Sequence, residues 1–411
     1  MTSIYSNCAA PEARPSGASP NAGAQIAPRR RFTLDGDDAL ERHLESTCAR
    51  IVSGVRGLIP PRKLQAVILG GGYGRGEGGV LRDQAGDRPY NDLELYVAIK
   101  GNRHVNDFLY HRRLAVLGEI LTHLADAEVE LKVTSLAELA AQPVSMFSYD
   151  LAAGHRLLWS RGSADRALCS DLHHGSENIP ESEATRLLMN RCTGLLLARA
   201  QLEREPFTPS AADFVRRNVA KAQLACGDAL LVAHGRYHWS CRERHRRLAD
   251  LAHDKRSAWF DAALGHHAAG VEFKLHPESG EGQRESLAAV HGEVTAFALK
   301  CWLWLESRRL GRSFPSARAY AEDACNKCPG SSPFLNILLN LRAYGFRLRA
   351  KPRPWRHPRQ RILHSLTLLL WEPQASAESD LQARIRAELN SRSGDPADWI
   401  IRYRALWCQI R

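Results

Sequence analysis

Long apolar runs are missing from this sequence. No stretch approaches the roughly 20 consecutive apolar residues that a membrane-spanning helix needs. The longest candidate, Ile362 to Trp371, is interrupted by His364, Ser365 and Thr367. A soluble, cytoplasmic protein with no membrane among its partners is therefore expected. A cysteine framework is missing too. Ten cysteines are scattered through 411 residues, and only Cys325-Asn326-Lys327-Cys328 is paired in sequence. Without a second pair, or histidines at ligand spacing nearby, it makes no zinc site, and the thiols read as free in a reducing compartment. Residues 1–33 are rich in Ala, Pro, Ser and Gly and carry Arg29-Arg30-Arg31 near their end. They lack the apolar stretch of a secretion signal and read as a disordered tail. No internal repeat occurs.

What is present is an ordinary globular composition, 44% hydrophobic and 25% charged, with enough length for two domains. The net charge of +11 favours anionic partners, and nucleotides satisfy it as readily as nucleic acid does. The chain is organised around Leu64 to Ile99. There the apolar run Ala66-Val67-Ile68-Leu69 empties into Gly70-Gly71-Gly72-Tyr73-Gly74-Arg75-Gly76-Glu77, which reads as a buried strand feeding a tight turn that brings backbone N–H groups close to an anion. Downstream, Asp92, Glu94 and Tyr96 alternate with Leu93, Leu95, Val97 and Ile99, so a strand there buries the second set and points both carboxylates from one face. Two carboxylates so placed invite a divalent cation.

Two motif matches fail on context. Gly74-x-Gly76-x-x-Gly79 imitates a dinucleotide-binding fingerprint, but the next residues, Arg82 to Pro89, have loop chemistry where that motif needs a helix. The glycines with Val97-Ala98-Ile99-Lys100 downstream imitate a protein kinase, but the chain has no Asp-Phe-Gly and no His-Arg-Asp; nor has it a Gly-Lys-Ser/Thr for a P-loop.

The segment Gly71-Gly72-Tyr73-Gly74-Arg75-Gly76-Glu77 with Asp92-Leu93-Glu94-Leu95 resembles the nucleotidyltransferase superfamily with the DNA polymerase β-like fold. That resemblance implies that Gly71, Gly72 and Arg75 contact a nucleoside triphosphate and that Asp92 and Glu94 bind magnesium. Gly72 stands where many members have Ser, and the spacer to Asp92 is longer than usual, its extra residues expected as a mobile loop. A third carboxylate on a neighbouring strand is implied. Val129-Glu130-Leu131-Lys132-Val133, after a helical stretch from Val105 to Ala125, offers Glu130, with Glu128 on the same face as the fallback. Two magnesium ions about 3.5 to 4 Å apart stabilise the attacking and leaving oxygens of such a transfer. Asp92 and Glu94 would hold both, and Glu130 the catalytic one.

The expected fold is α+β: a tail at 1–33, a small mixed-sheet catalytic domain at 34–165 and a mostly helical domain at 166–411. A helix is expected from Leu40 to Val55, a capping box at Ser135-x-x-Glu138, and a turn with a final strand from Tyr149 to Trp159. Beyond, Val215, Val219, Ala222, Cys226, Leu230 and Ala233 form one helical stripe, with Lys221 off it as a candidate phosphate contact. Ala288 to Leu310 and Pro333 to Leu341 read as further core helices. Arg347, Arg349, Lys351, Arg353, Arg356, Arg359 and Arg361, interleaved with prolines, make either a polyanion-binding strap or a loop held on the protein's own surface. The function expected is metal-dependent transfer of a nucleotidyl group to a hydroxyl of a small molecule, a protein or an RNA. The alternatives are a catalytically inactive nucleotide-binding regulator and a nucleic-acid-binding protein.

Overall fold

The apolar run that empties into the glycines is a central strand. In the computed structural model, which describes residues 31–162, 175–255, 257–278, 282–345, 353–372, 374 and 377–410, β1 (Leu64–Leu69) pairs antiparallel with β4 (Leu93–Ile99) on one side and β6 (Arg156–Ser160) on the other. β5 (Val129–Thr134) lies parallel to β4, giving a mixed sheet in the order β5-β4-β1-β6.

Side-chain alternation sorts the two faces. Leu93, Leu95, Val97 and Ile99 enter a core with Leu44, Ile51 and Val55 of α1 (Asp38–Leu58) and with Tyr110, Leu114 and Leu121 of α3 (Arg103–Ala125). Ala66, Ile68, Tyr96 and Ala98 pack on the opposite face against Leu136 and Leu139 of α4 (Leu136–Ala141) and Leu151 of α5 (Met146–Ala153). Glu94 and Glu130 alternate with the first set and so leave the sheet on its second face. The parallel register sets them directly opposite one another.

Three local expectations change. The spacer before Asp92 is a β-hairpin rather than a mobile loop, β2 (Val80–Asp83) pairing with β3 (Gly86–Pro89). It is anchored to the start of α1 by an Arg82–Asp35 ion pair at 2.7 Å and by the Asp37 N–H donating to Asp87 at 2.8 Å. Its base is closed by Tyr73, whose hydroxyl donates to the Gly79 carbonyl at 2.9 Å and accepts from the Tyr90 N–H at 3.0 Å. The glycine segment itself is not an open turn but the short helix α2 (Gly71–Arg75). Tyr149 and Asp150, expected in a turn, belong to α5, because the capping box forms at Ser145 and Ser148; Ser135 stands at the start of α4 without a side-chain cap bond.

The remainder is helical. α6 (Glu181–Leu202), α7 (Pro209–Ala233), α8 (Cys241–Lys255), α9 (Ala258–Leu275) and α10 (Arg284–Leu310) are followed by α11 (Ala317–Glu322), α12 (Pro333–Tyr344), α13 (Arg359–Trp371), α14 (Ser379–Leu389) and α15 (Pro396–Ile410). The expected stripe of α7 is buried along its whole length, and Trp302 of α10 is fully enclosed. The chain is therefore α+β, a small mixed sheet followed by helices. None of the helices is long and apolar enough to cross a membrane among the described residues. Residues 1–30 of the expected tail lie outside the described residues, and Phe32 is already buried in the core.

A buried carboxylate helps tie the sheet to the helices. Glu77, just past the glycines and only 5% exposed, accepts from the Ser240 hydroxyl and from the Cys241 N–H at 2.8 Å, at the start of α8. Burial works against its charge, but these donors and the Lys274 ammonium hold its pKa below the ordinary 4.5. A carboxylate with a depressed folded pKa stabilises above its unfolded pKa, and that contribution fades as pH falls through the folded value. Glu77→Gln is thus expected to cost about 1–3 kcal/mol at neutral pH. In urea melts at descending pH the gap to wild type should close only well below pH 4.5; a gap that does not change with pH means that the charge contributes nothing.

Candidate active site

β4 delivers Asp92 and Glu94 to the junction between the sheet and the helices. Asp92 is exposed, directly before the strand, and Glu94 is half-buried within it. Gly79 N–H donates to Asn91 Oδ1 at 2.9 Å, so the hairpin base fixes the residue before Asp92. Gly71 has φ +61°, and a Cβ there would sit 3.0 Å from Glu94 Oε1, so only glycine lets the backbone pass this close to the carboxylate. Tyr96 Oη donates to Glu94 Oε2 at 3.2 Å; burial first, and then the Glu94 charge, push the Tyr96 phenol far above its ordinary pKa. The phenol is therefore a constant donor that fixes Glu94 from below.

The other wall is cationic. α6 and α7 run antiparallel through a short connection and cross at Gly194, where a Cβ would fall 2.3 Å from Asn218 Oδ1. One turn from that crossing on each helix stand Arg191 and Lys221. Burial lowers the pKa of Arg191, with Asp228 and Glu94 acting in the opposite sense. Burial and the neighbouring Arg191 and Arg217 lower that of Lys221, opposed by Asp92 and Glu94. Lys221 is exposed to solvent on the surface of α7. Neither cation makes an ion pair among the described residues, whereas Arg217 is committed to Asp213 at 2.9 Å.

Two expected members are engaged elsewhere. Arg75 turns from the glycines to donate to Asp150 Oδ2 at 2.7 Å, a carboxylate that also accepts from Tyr237. Glu130 shares the face of Glu94 but pairs with Lys132 at 2.7 Å, while Lys132 lies over the Tyr96 ring. Glu128, the fallback, is exposed, and its carbonyl accepts from Leu93 N. Asp92 and Glu94 offer the hard oxygen donors that magnesium takes, and their chemistry fits an ion completed by water and phosphate oxygens. Glu130 lies directly opposite Glu94 in the register, with its carboxylate paired to Lys132. Among the described residues no three His, Cys, Asp or Glu side chains gather to hold an ion.

Arg191 was not foreseen from the sequence, although a lone charge inside the apolar stretch Leu187-Leu188-Met189-Asn190-Arg191-Cys192 is a signal that could have found it. The basic strap works inward where it is described: Arg353 donates to the Ala324 carbonyl at 3.3 Å, Arg356 to Cys325 at 2.6 Å and Arg361 to Ala387 at 2.6 Å. Arg347, Arg349 and Lys351 lie outside the described residues. No family model matches the chain, and neither a curated protein nor a solved structure matches it.

A half-buried guanidinium with no carboxylate in ion-pair contact carries a desolvation cost that a bound anion relieves. Arg191→Met is therefore expected to raise the melting temperature of the ligand-free protein and to abolish the thermal stabilisation given by tripolyphosphate. A melting temperature that falls instead makes Arg191 a structural residue.

Proposed function

We propose that this protein is a magnesium-dependent nucleotidyltransferase, acting on a nucleoside triphosphate and a hydroxyl acceptor. The observation that carries the reading is the nearness of opposite charges at the junction: Glu94 beside the Gly71 backbone with Asp92 two residues before it, and Arg191 and Lys221 close enough to feel their charge. Carboxylates alone repel a triphosphate, and cations alone do not hold a metal. The two together suit a metal–triphosphate complex.

In this reading Arg191 and Lys221 take the phosphate oxygens and hold the chain of phosphates along the α6–α7 crossing. Asp92 and Glu94 hold magnesium, which when bound supplies neutralisation of the charge that builds on the phosphate oxygens. Glu94 is kept oriented by Tyr96 on one oxygen and by the Gly71 backbone beside the other. The acceptor hydroxyl attacks the α-phosphorus in line: its oxygen forms the new P–O bond, its proton passes to water, the bridging P–O bond to the β-phosphate breaks, and pyrophosphate leaves toward the cationic wall. Positioning and electrostatic complementarity supply most of the acceleration in such transfers. The ion pair between Glu130 and Lys132 favours one competing reading, a regulator that binds the triphosphate without transferring it.

Incubation of the protein with magnesium, α-labelled nucleoside triphosphates and a cell extract separates the two. Transfer of label to a small molecule, a protein or an RNA supports the enzyme and identifies the acceptor class. Asp92→Asn and Glu94→Gln should each reduce transfer by about a thousandfold or more while leaving the melting curve near wild type. Tight triphosphate binding with no transfer to any fraction gives the regulator the lead.

A further inference from the structure

Helix α3 is apolar on both sides. Its inner face, with Tyr110, Leu114 and Leu121, is buried under the sheet. Its outer face carries Val105 at 56% exposure, Phe108 at 89%, Leu109 at 49%, Val116 at 49%, Ile120 at 56% and Leu124 at 47%. These residues recur by threes, fours and sevens, so they form one seam over roughly 30 Å at about 1.5 Å per residue. A helix apolar all round is normally covered all round, and a contiguous apolar strip of this length is far from the scattered exposed residues of an ordinary surface.

The charges on the seam indicate what covers it. Arg112 and Glu119 lie seven residues apart on the same outer face, both exposed, and neither enters an ion pair among the described residues; His123 is exposed on the same line of the helix as Val105 and Val116, and Arg113 at the edge of the seam. In an antiparallel pair of identical helices, a two-fold axis midway between them sets Arg112 against Glu119 of the partner subunit, and the symmetry repeats the pair on the other side of the axis. Val116 then falls beside the axis, and Phe108 sits over His123 of the partner subunit, flanked by Ile120 of the partner subunit and Leu124 of the partner subunit. Through Arg112 and Glu119 the surface complements itself in charge, and its apolar residues meet their own kind, while Arg113 stays at the rim. A one-signed anionic partner would leave Glu119 facing like charge.

We propose that the outer face of α3 is a homodimer seam, with two copies of this chain packing their α3 helices antiparallel about an axis beside Val116. The seam lies on the sheet face opposite to Glu94, so the dimer is back to back and both candidate active sites stay open. With the seam residues and their flanks, each copy can contribute about the 800 Å² that a stable interface needs.

The test is the molar mass of the full chain by sedimentation equilibrium at concentrations on the order of 10 µM. A dimer is expected. Phe108→Ser should give monomer, Arg112→Glu should weaken association roughly tenfold to a hundredfold, and Arg112→Glu combined with Glu119→Arg should restore it. All these side chains are exposed, so melting curves should match wild type, and Arg112→Glu decides the matter where Phe108→Ser fails to fold. A monomeric wild type overturns the proposal, including one that instead sediments with lipid vesicles. A dimer that survives both single changes overturns it equally.

Discussion

The buried carboxylate of Glu77 sets the relation between sheet and helices on which the rest of the molecule depends. It leaves the glycine segment, crosses into the helical half and takes the first N–H and the flanking hydroxyl of α8, an arrangement that helix ends favour for a negative group. A second chain of polar contacts runs beside it, from Arg75 through Asp150 and Tyr237 to Arg244, Asp228 and His267. Tyr237, Arg244, Asp228 and His267 are enclosed, so each depends on its neighbours in the chain for its polar partners. Sheet and helices are consequently locked in one orientation, and it is that orientation which brings α6 and α7 opposite β4.

Within this frame the candidate site is a matter of charge arranged before any ligand arrives. The carboxylates come from adjacent positions on a single strand face, and the cations from two helices that cross closely because Gly194 has no side chain. Of these cations Arg191 is half-buried and Lys221 exposed, and neither is committed to an ion pair among the described residues. Arg75, by contrast, is used in the frame rather than in the site, even though it lies within the segment that looked most like a phosphate loop.

The sequence made the sheet legible because a period of two is hard to imitate: Leu93, Leu95, Val97 and Ile99 could be assigned to one face and Glu94 to the other from alternation alone. The α7 stripe and the helix opening at Pro333 were readable for the same kind of reason, repeated spacing or a residue with a fixed backbone. Other features depended on contacts distant in sequence. The hairpin at 80–89 has the Gly, Asp and Pro content of a loop and becomes ordered only through Asp35, Asp37 and Tyr73. The pairing of Glu130 with its neighbour Lys132 comes from rotamer choice, which periodicity does not report. Arg191 acquires its meaning from Glu94 and Lys221, and nothing in its own helix says which strand that helix will face.

The hairpin also separates two properties that are usually linked, the length of a connection and the accuracy with which it places the next strand. Its base is fastened by Tyr73 and Asn91, and its stem is tied to α1, while its tip at Gln84 and Ala85 is exposed. Chain can therefore be added or removed at the tip without moving Asp92, since the clamp lies between the tip and the carboxylates. Evolution, or an engineer, has at that point a place to graft a longer loop or a whole inserted module while the placement of Asp92 stays fixed.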